Sequence, residues 1–165
     1  HFGEVFFQHC AGFGLVKEST PLPVYDVTFA DMTKREIDDR ADRLDISPSL
    51  VERLESTEHD AVFLALGADY YRALDLNAVT KAVGGDTTLV LFNQEEFAAG
   101  HENVVSIPAR TAEAKELGTI VVALKGRYVQ HFAANLGESR DSLTEDEIVS
   151  ACRTEPTEQK GLSDF

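Results

Sequence analysis

Phe13 stands between Gly12 and Gly14, just after an apolar run that closes on His9-Cys10. Such a turn can offer backbone N–H groups beside a ring face, which suits a phosphate or a nucleobase. It lacks the third glycine of a dinucleotide loop and the Gly-Lys-Ser/Thr of a P-loop, so a tight turn leaving a strand is the competing reading. Tyr25 and Asp26 could read a base edge or position a water, with Asp26 the candidate for a catalytic carboxylate. An aspartate that starts a turn beside a packed tyrosine is the alternative. Asp69 opens a helical stretch, where a carboxylate complements the helix dipole as readily as it binds a ligand. His9 and Cys10 form a dyad on paper only, because adjacent strand residues point to opposite faces. The five histidines are scattered without metal-ligand spacing. Neither a zinc motif nor a Ser-His-Asp arrangement can be assembled, and no metal or cofactor is expected.

These residues acquire a common location only through the elements that carry them. "EVFFQHC" reads as a buried strand, "AVFLAL" (61–66) as a short apolar strand ending at Gly67, and "TTLVLFN" (87–93) and "NVVSIPA" (103–109) as two more. Continuous apolar runs of this length suit parallel strands covered on both faces. Helical stretches alternate with them, which predicts a single α/β domain with a mostly parallel open sheet of four to five strands flanked by helices. In such a sheet the ligand crevice lies beyond the carboxyl ends of the strands. The first end carries Gly12, Phe13 and Gly14, the second Gly67, Asp69 and Tyr70. The third carries Asn93, Gln94 and Glu95, and the fourth Pro108 and Arg110. With Tyr25 and Asp26 these form the predicted rim.

Helix boundaries are marked locally. Thr33 and Glu36 form a capping box ahead of Ile37, Ala41 and Leu44, which predicts a helix over 34–44. Ser47 is the expected cap of the next helix, with Pro48 at its first position. "ADYYRALD" and "NAVTKAVG" read as helical turns, and "RTAEAKEL" as a helix closed by Gly118. "TIVVALKGRYVQHFAANL" starts with β-branched residues, but Ile120, Leu124, Val129, Phe132 and Leu136 make a helical stripe, so it is read as helix. "TEDE" (144–147) is a second capping box, for a helix through Cys152. The predicted division is an α/β core over 1–137, then an acidic C-terminal helix and frayed tail over 138–165.

"FFQHCAGFGLVKESTPLPVYDVTF" resembles the strand–Gly-Leu-Leu/Val–Pro-x-Tyr stretch of the YaaA family of peroxide-stress proteins, and of related domains including the middle domain of archaeosine synthase. The residues that carry the resemblance are Phe6, Phe7, Phe13, Gly14, Leu15, Val16, Pro23, Tyr25 and Asp26. "DAVFLALGADYYRAL" and "RTAEAKELG…ALKG" match more loosely. The resemblance implies an α/β core likened to uracil-DNA glycosylases, handling a nucleobase, nucleotide or nucleic acid, with base exchange or a glycosidic reaction as the natural chemistry. In those families a strand and helix with polar motif residues precede this stretch, whereas this chain opens almost on it. The alternative expectation is therefore a non-catalytic interaction module with the same fold.

At 165 residues the chain can form one domain that buries roughly 70% of its unfolded surface. It holds 29 acidic against 15 basic residues, for a net charge of -14, and only six of the bases are lysine. Such a field repels nucleic acid and anionic membranes at low salt. An acidic, lysine-poor surface on an ordinary core suggests a salt-rich, archaeal-like cytoplasm, where a nucleic-acid or nucleotide partner becomes permissible. Residues 103–137 are the exception, with four bases against two acids, while 138–165 carry three against eight. Lys125 and Arg127 are therefore the candidate anion-binding pair, unless they simply pair within the fold. Cys10 and Cys152 are expected to be reduced and buried. No stretch approaches a membrane span and no signal peptide is visible, so a cytoplasmic location is expected, with nucleic acid or a protein as possible partner. The chain opens at His1 rather than Met, which leaves room for an upstream segment.

Overall fold

Alternation along the strand Thr88–Phe92 sends Val90 and Phe92 to one side and Leu89 and Leu91 to the other, all fully buried. A strand covered on both faces needs two helical layers, and the fold supplies them. The computed structural model describes residues 7–135 and 143–156. In chain order these comprise β1 (Phe7–Cys10), β2 (Gly14–Lys17), a 3-10 turn (Phe29–Asp31), α1 (Lys34–Arg43), α2 (Ile46–Glu55), β3 (Ala61–Phe63), α3 (Ala68–Arg72) and α4 (Leu76–Val83). There follow β4 (Thr88–Phe92), α5 (Glu95–Ala98), β5 (Val104–Ile107), α6 (Thr111–Glu116), α7 (Val121–Asn135) and α8 (Glu145–Arg153).

The sheet order is β3-β4-β5, all parallel, with Val62 opposite Leu89 and Val90 opposite Val105. On one face Val90, Phe92, Val105 and Ile107 pack with Ala114 of α6, Leu124 and Tyr128 of α7, and Ile148 and Cys152 of α8. On the other face Leu89, Leu91 and Val104 pack with Leu54 of α2, Tyr71 of α3 and Val79 of α4. The helix at 145–153 thus shares the sheet's own core. The tail beyond residue 156 lies outside the described residues, as does Phe6.

The α/β class is as expected, but the parallel sheet has three strands among the described residues, not four or five. The first expected strand is elsewhere. β1 pairs antiparallel with β2, Phe7 opposite Lys17 and Cys10 opposite Gly14, around the turn Ala11-Gly12-Phe13. Three residues cannot provide the crossover of a dozen or more that a parallel return requires. Gly14 takes φ +75, and a Cβ there would lie 3.1 Å from the Leu44 carbonyl oxygen. The hairpin sits on a third apolar cluster of Ala11, Phe29, Ile37, Ile46 and Ala73, apart from the two that cover the sheet. Residues 21–28 form no strand, and Phe29 opens the 3-10 turn.

Both capping boxes are formed. Thr33 and Glu36 exchange their bonds at α1, and Thr144 and Glu147 at α8. The expected cap at Ser47 is corrected. α2 begins at Ile46 behind Asp45, which adopts φ 48, and Pro48 falls third in the helix. The Ser47 hydroxyl instead accepts from the Asp75 N–H at 2.8 Å, tying the start of α2 to that of α4. The 121–135 segment is helical despite its β-branched start. α6 ends as foreseen at Gly118 (φ +58), with Thr119 N–H donating to Ala114 and Gly118 N–H to Lys115, the paired bonds of a Schellman ending.

Candidate functional site

Three carboxyl ends stand side by side because β3, β4 and β5 are parallel neighbours. Gly67 follows β3 and caps α3, Asn93 follows β4, and Arg110 follows β5 and caps α6. Three of the four strand ends read from the sequence thus lie side by side, while the first, carrying Gly12, Phe13 and Gly14, belongs to the separate hairpin. Asn93 and Arg110 are occupied in ways that hold the side-by-side ends together.

Asn93 adopts φ 57, in the left-handed region that asparagine tolerates better than most residues. Its Nδ2 donates to Ala109 O at 3.1 Å and its Oδ1 accepts from Ala109 N at 2.7 Å, which locks the end of β4 to the exit of β5. Arg110 pairs with Glu95 at 2.6 Å, while its own N–H donates to Glu113 at 2.9 Å. Ser106 Oγ accepts from Gln94 N at 2.8 Å. Lys125 reaches from the second turn of α7 to donate to the Leu66 carbonyl, and burial lowers its pKa. Arg127 donates to Leu117 O at 3.2 Å, satisfying a carbonyl at the end of α6 where a cation is favoured. The predicted anion-binding pair thus points at backbone carbonyls. Asp69 is exposed in the first turn of α3.

Gly12, Phe13, Gly14 and Tyr25 meet at the hairpin. The Tyr25 ring lies over Gly12, where a Cβ would come within 3.0 Å of it, so the close approach depends on glycine. Phe13 and Tyr25 rings are 5.1 Å apart and nearly perpendicular. Hydrogen bonding with the Cys10 thiol, then burial and the neighbouring Tyr70, raise the Tyr25 phenol. Asp26 is exposed beside them, and no hydrogen bond or ion pair joins it to another described residue. Gly14 faces the α1–α2 turn rather than the rim. Tyr70 is the link between the two groups: it follows Gly67 in α3, its ring lies 5.4 Å from that of His9, and its hydroxyl is 3.4 Å from Thr28 Oγ1.

Tyr71 is the residue that sequence reasoning passes over. Its buried hydroxyl accepts from Phe92 N at 2.9 Å and donates to the Leu64 carbonyl, so it bridges the ends of β3 and β4. Burial pushes its pKa up to about 12. Adjacent tyrosines on a helix point about 100° apart, and nothing in the sequence says which one turns inward. Asp38, Ala68, Tyr71, Arg72, Leu76 and Gln94 line an open groove of about 350 Å³ next to it, crossed by the Arg72–Asp38 pair at 2.8 Å.

Cys10 and Cys152 are both free and buried, and burial drives the Cys152 thiol up to about 12, far from a nucleophile's range. Among the described residues no group of three or more His, Cys, Asp or Glu could hold a metal ion, and no helix is long and apolar enough to cross a membrane. Comparison with protein families, with curated proteins and with solved structures finds no match to this chain in any of the three.

Proposed function

We propose that the chain is a binding module that works through its surface rather than by turning over a substrate. One contrast carries this reading. Asn93, Arg110 and Lys125 are engaged in joining strand ends, whereas Ile120 and Val122, 69% and 91% exposed, stand in water at the start of α7. Val121 between them is 42% exposed, and Lys125 pins the same helix to the end of β3. Contiguous apolar side chains held outward on a fixed helix are the usual mark of a contact surface. The test compares wild type with an Ile120→Ser/Val122→Ser variant as bait in high salt. A protein retained by the wild type and lost by an equally stable variant supports the reading. Identical retention by both removes it.

A second reading, handling of a nucleobase, nucleotide or nucleic acid, rests on the sequence resemblance and on the Phe13–Tyr25 pair. Both rings are about two-fifths exposed (40% and 39%) and meet over a glycine, which leaves room for a base to stack, with Asp26 as the nearby carboxylate. Lys125 and Arg127 would then contact phosphates with the donors their carbonyl bonds leave free. Oligonucleotide titration separates the readings. Phosphate contact predicts binding that weakens with salt, and a log–log slope reduced by about two in the Lys125→Ala/Arg127→Ala variant. No binding at about 0.1 M salt, with the variant only melting lower, leaves the surface reading ahead.

A further inference from the structure

His9 is the one side chain whose buried nitrogens, both of them, lack a hydrogen-bond partner among the described residues. Its ring sits edge-on between Phe29 of the 3-10 turn, at 5.6 Å, and Tyr70 of α3, at 5.4 Å. It therefore occupies the seam between the β1–β2 hairpin and the helices beneath. Ala11, 1% exposed, shares an apolar cluster with Phe29, Ile37, Ile46 and Ala73 across the same seam. Arg40 of α1 donates to the Ala11 carbonyl, Arg53 of α2 lies 4.4 Å over the Phe7 ring, and Gly14 abuts Leu44.

We propose that the hairpin is a strap released by proton uptake at His9, which frees β1 and β2 from the 3-10 turn and α3 while the parallel sheet stays folded. An imidazolium in this seam has no acceptor. The Tyr70 phenol is the titratable group facing it from α3, and the 3-10 turn presents only the Phe29 ring. Asp31 and Asp69, the carboxylates of those two elements, are exposed and make no bond to the imidazole. Cys10 is its titratable neighbour on β1, and Arg40 is committed to the Ala11 carbonyl. Ring contacts attract a cation, but less than the loss of its water costs it.

Burial alone lowers His9 from 6.5 to about 4 in the closed state. Once released, the ring returns to its ordinary value and binds a proton more readily. Closure is thus fully favoured above pH 6.5 and loses ground as pH falls towards 4, so the open fraction rises about 30-fold between pH 8 and pH 5. Release uncovers the Cys10 thiol and Phe29, both buried while the strap is closed.

Hydrogen exchange read by mass spectrometry tests this, with each rate corrected for its intrinsic pH dependence and β4 as internal reference. The expected result is a fall of about 30-fold in protection over residues 7–17 from pH 8 to pH 5, with β4 unchanged. A His9→Phe variant, which keeps an aromatic ring in the seam, should show almost no such fall. His9→Leu serves the same purpose if the larger ring does not fold. The proposal is overturned if wild type and variant lose protection alike, or if 7–17 and β4 open together. A His9 ring proton titrating near 6.5 by NMR in the folded protein overturns it as well.

Discussion

Tyr71 and Asn93 show how single side chains close the rim. Each is placed to satisfy backbone groups at a strand end, where the ladder stops and N–H and C=O groups lose their partners. Tyr71→Phe keeps the ring but leaves Phe92 N–H and Leu64 C=O without it, and should cost about 1–3 kcal/mol in a urea melt. An Asn93→Ala variant loses two bonds to Ala109 and places alanine at φ 57, so it should cost at least as much, about 2–4 kcal/mol. If both variants melt like wild type, the rim is held by strand packing alone. Side chains already bonded in this way are weak candidates for chemistry. Asn93 and Arg110 stand out in the sequence for their position after strands, and Lys125 for its charge. Their partners, Ala109, Glu95 and Leu66, become neighbours only when the sheet forms, so a single sequence holds no sign that these groups are engaged.

Elements divide into those whose signals are local and those whose signals depend on a distant neighbour. Thr33-x-x-Glu36 and Thr144-x-x-Glu147 specify helix starts within four residues, and both boxes are formed. The strands β3, β4 and β5 are legible as apolar runs between turns. The hairpin is not, because an apolar run reports burial and not which strand lies beside it. Ser47 misleads for the same reason: its hydroxyl takes a donor at the start of α4, twenty-eight residues away in sequence. Two glycines give opposite predictions at this scale. Gly14→Ala meets both a positive φ and a carbonyl oxygen at 3.1 Å, and should destabilise the hairpin by about 1–3 kcal/mol. Gly126 lies inside α7 with nothing within 4 Å of a built Cβ and an ordinary helical φ. Gly126→Ala should therefore raise stability by about 0.5–1 kcal/mol, and thermal melts of the two variants should move in opposite directions.

Across the whole molecule, negative charge is what the fold leaves least compensated. Four ion pairs join described residues, Arg35–Asp39, Arg72–Asp38, Arg110–Glu95 and Arg153–Glu116, and all have exposed partners that contribute at most about 1 kcal/mol each. They do not neutralise a net charge of -14. Screening should therefore stabilise the fold, with a melting temperature that climbs between roughly 0.1 and 2 M KCl as the Debye length shrinks from about 10 Å to below about 3 Å. A flat or falling melting temperature would remove the reading of a protein suited to high salt. The two buried thiols sit in different parts of the molecule, Cys10 beneath Tyr25 in the hairpin and Cys152 in the cluster shared by β4, β5 and α7. Each stays silent to an alkylating reagent until its own surroundings open. A single labelling time course, resolved by peptide, thus clocks the opening of two regions independently, with no engineered probe.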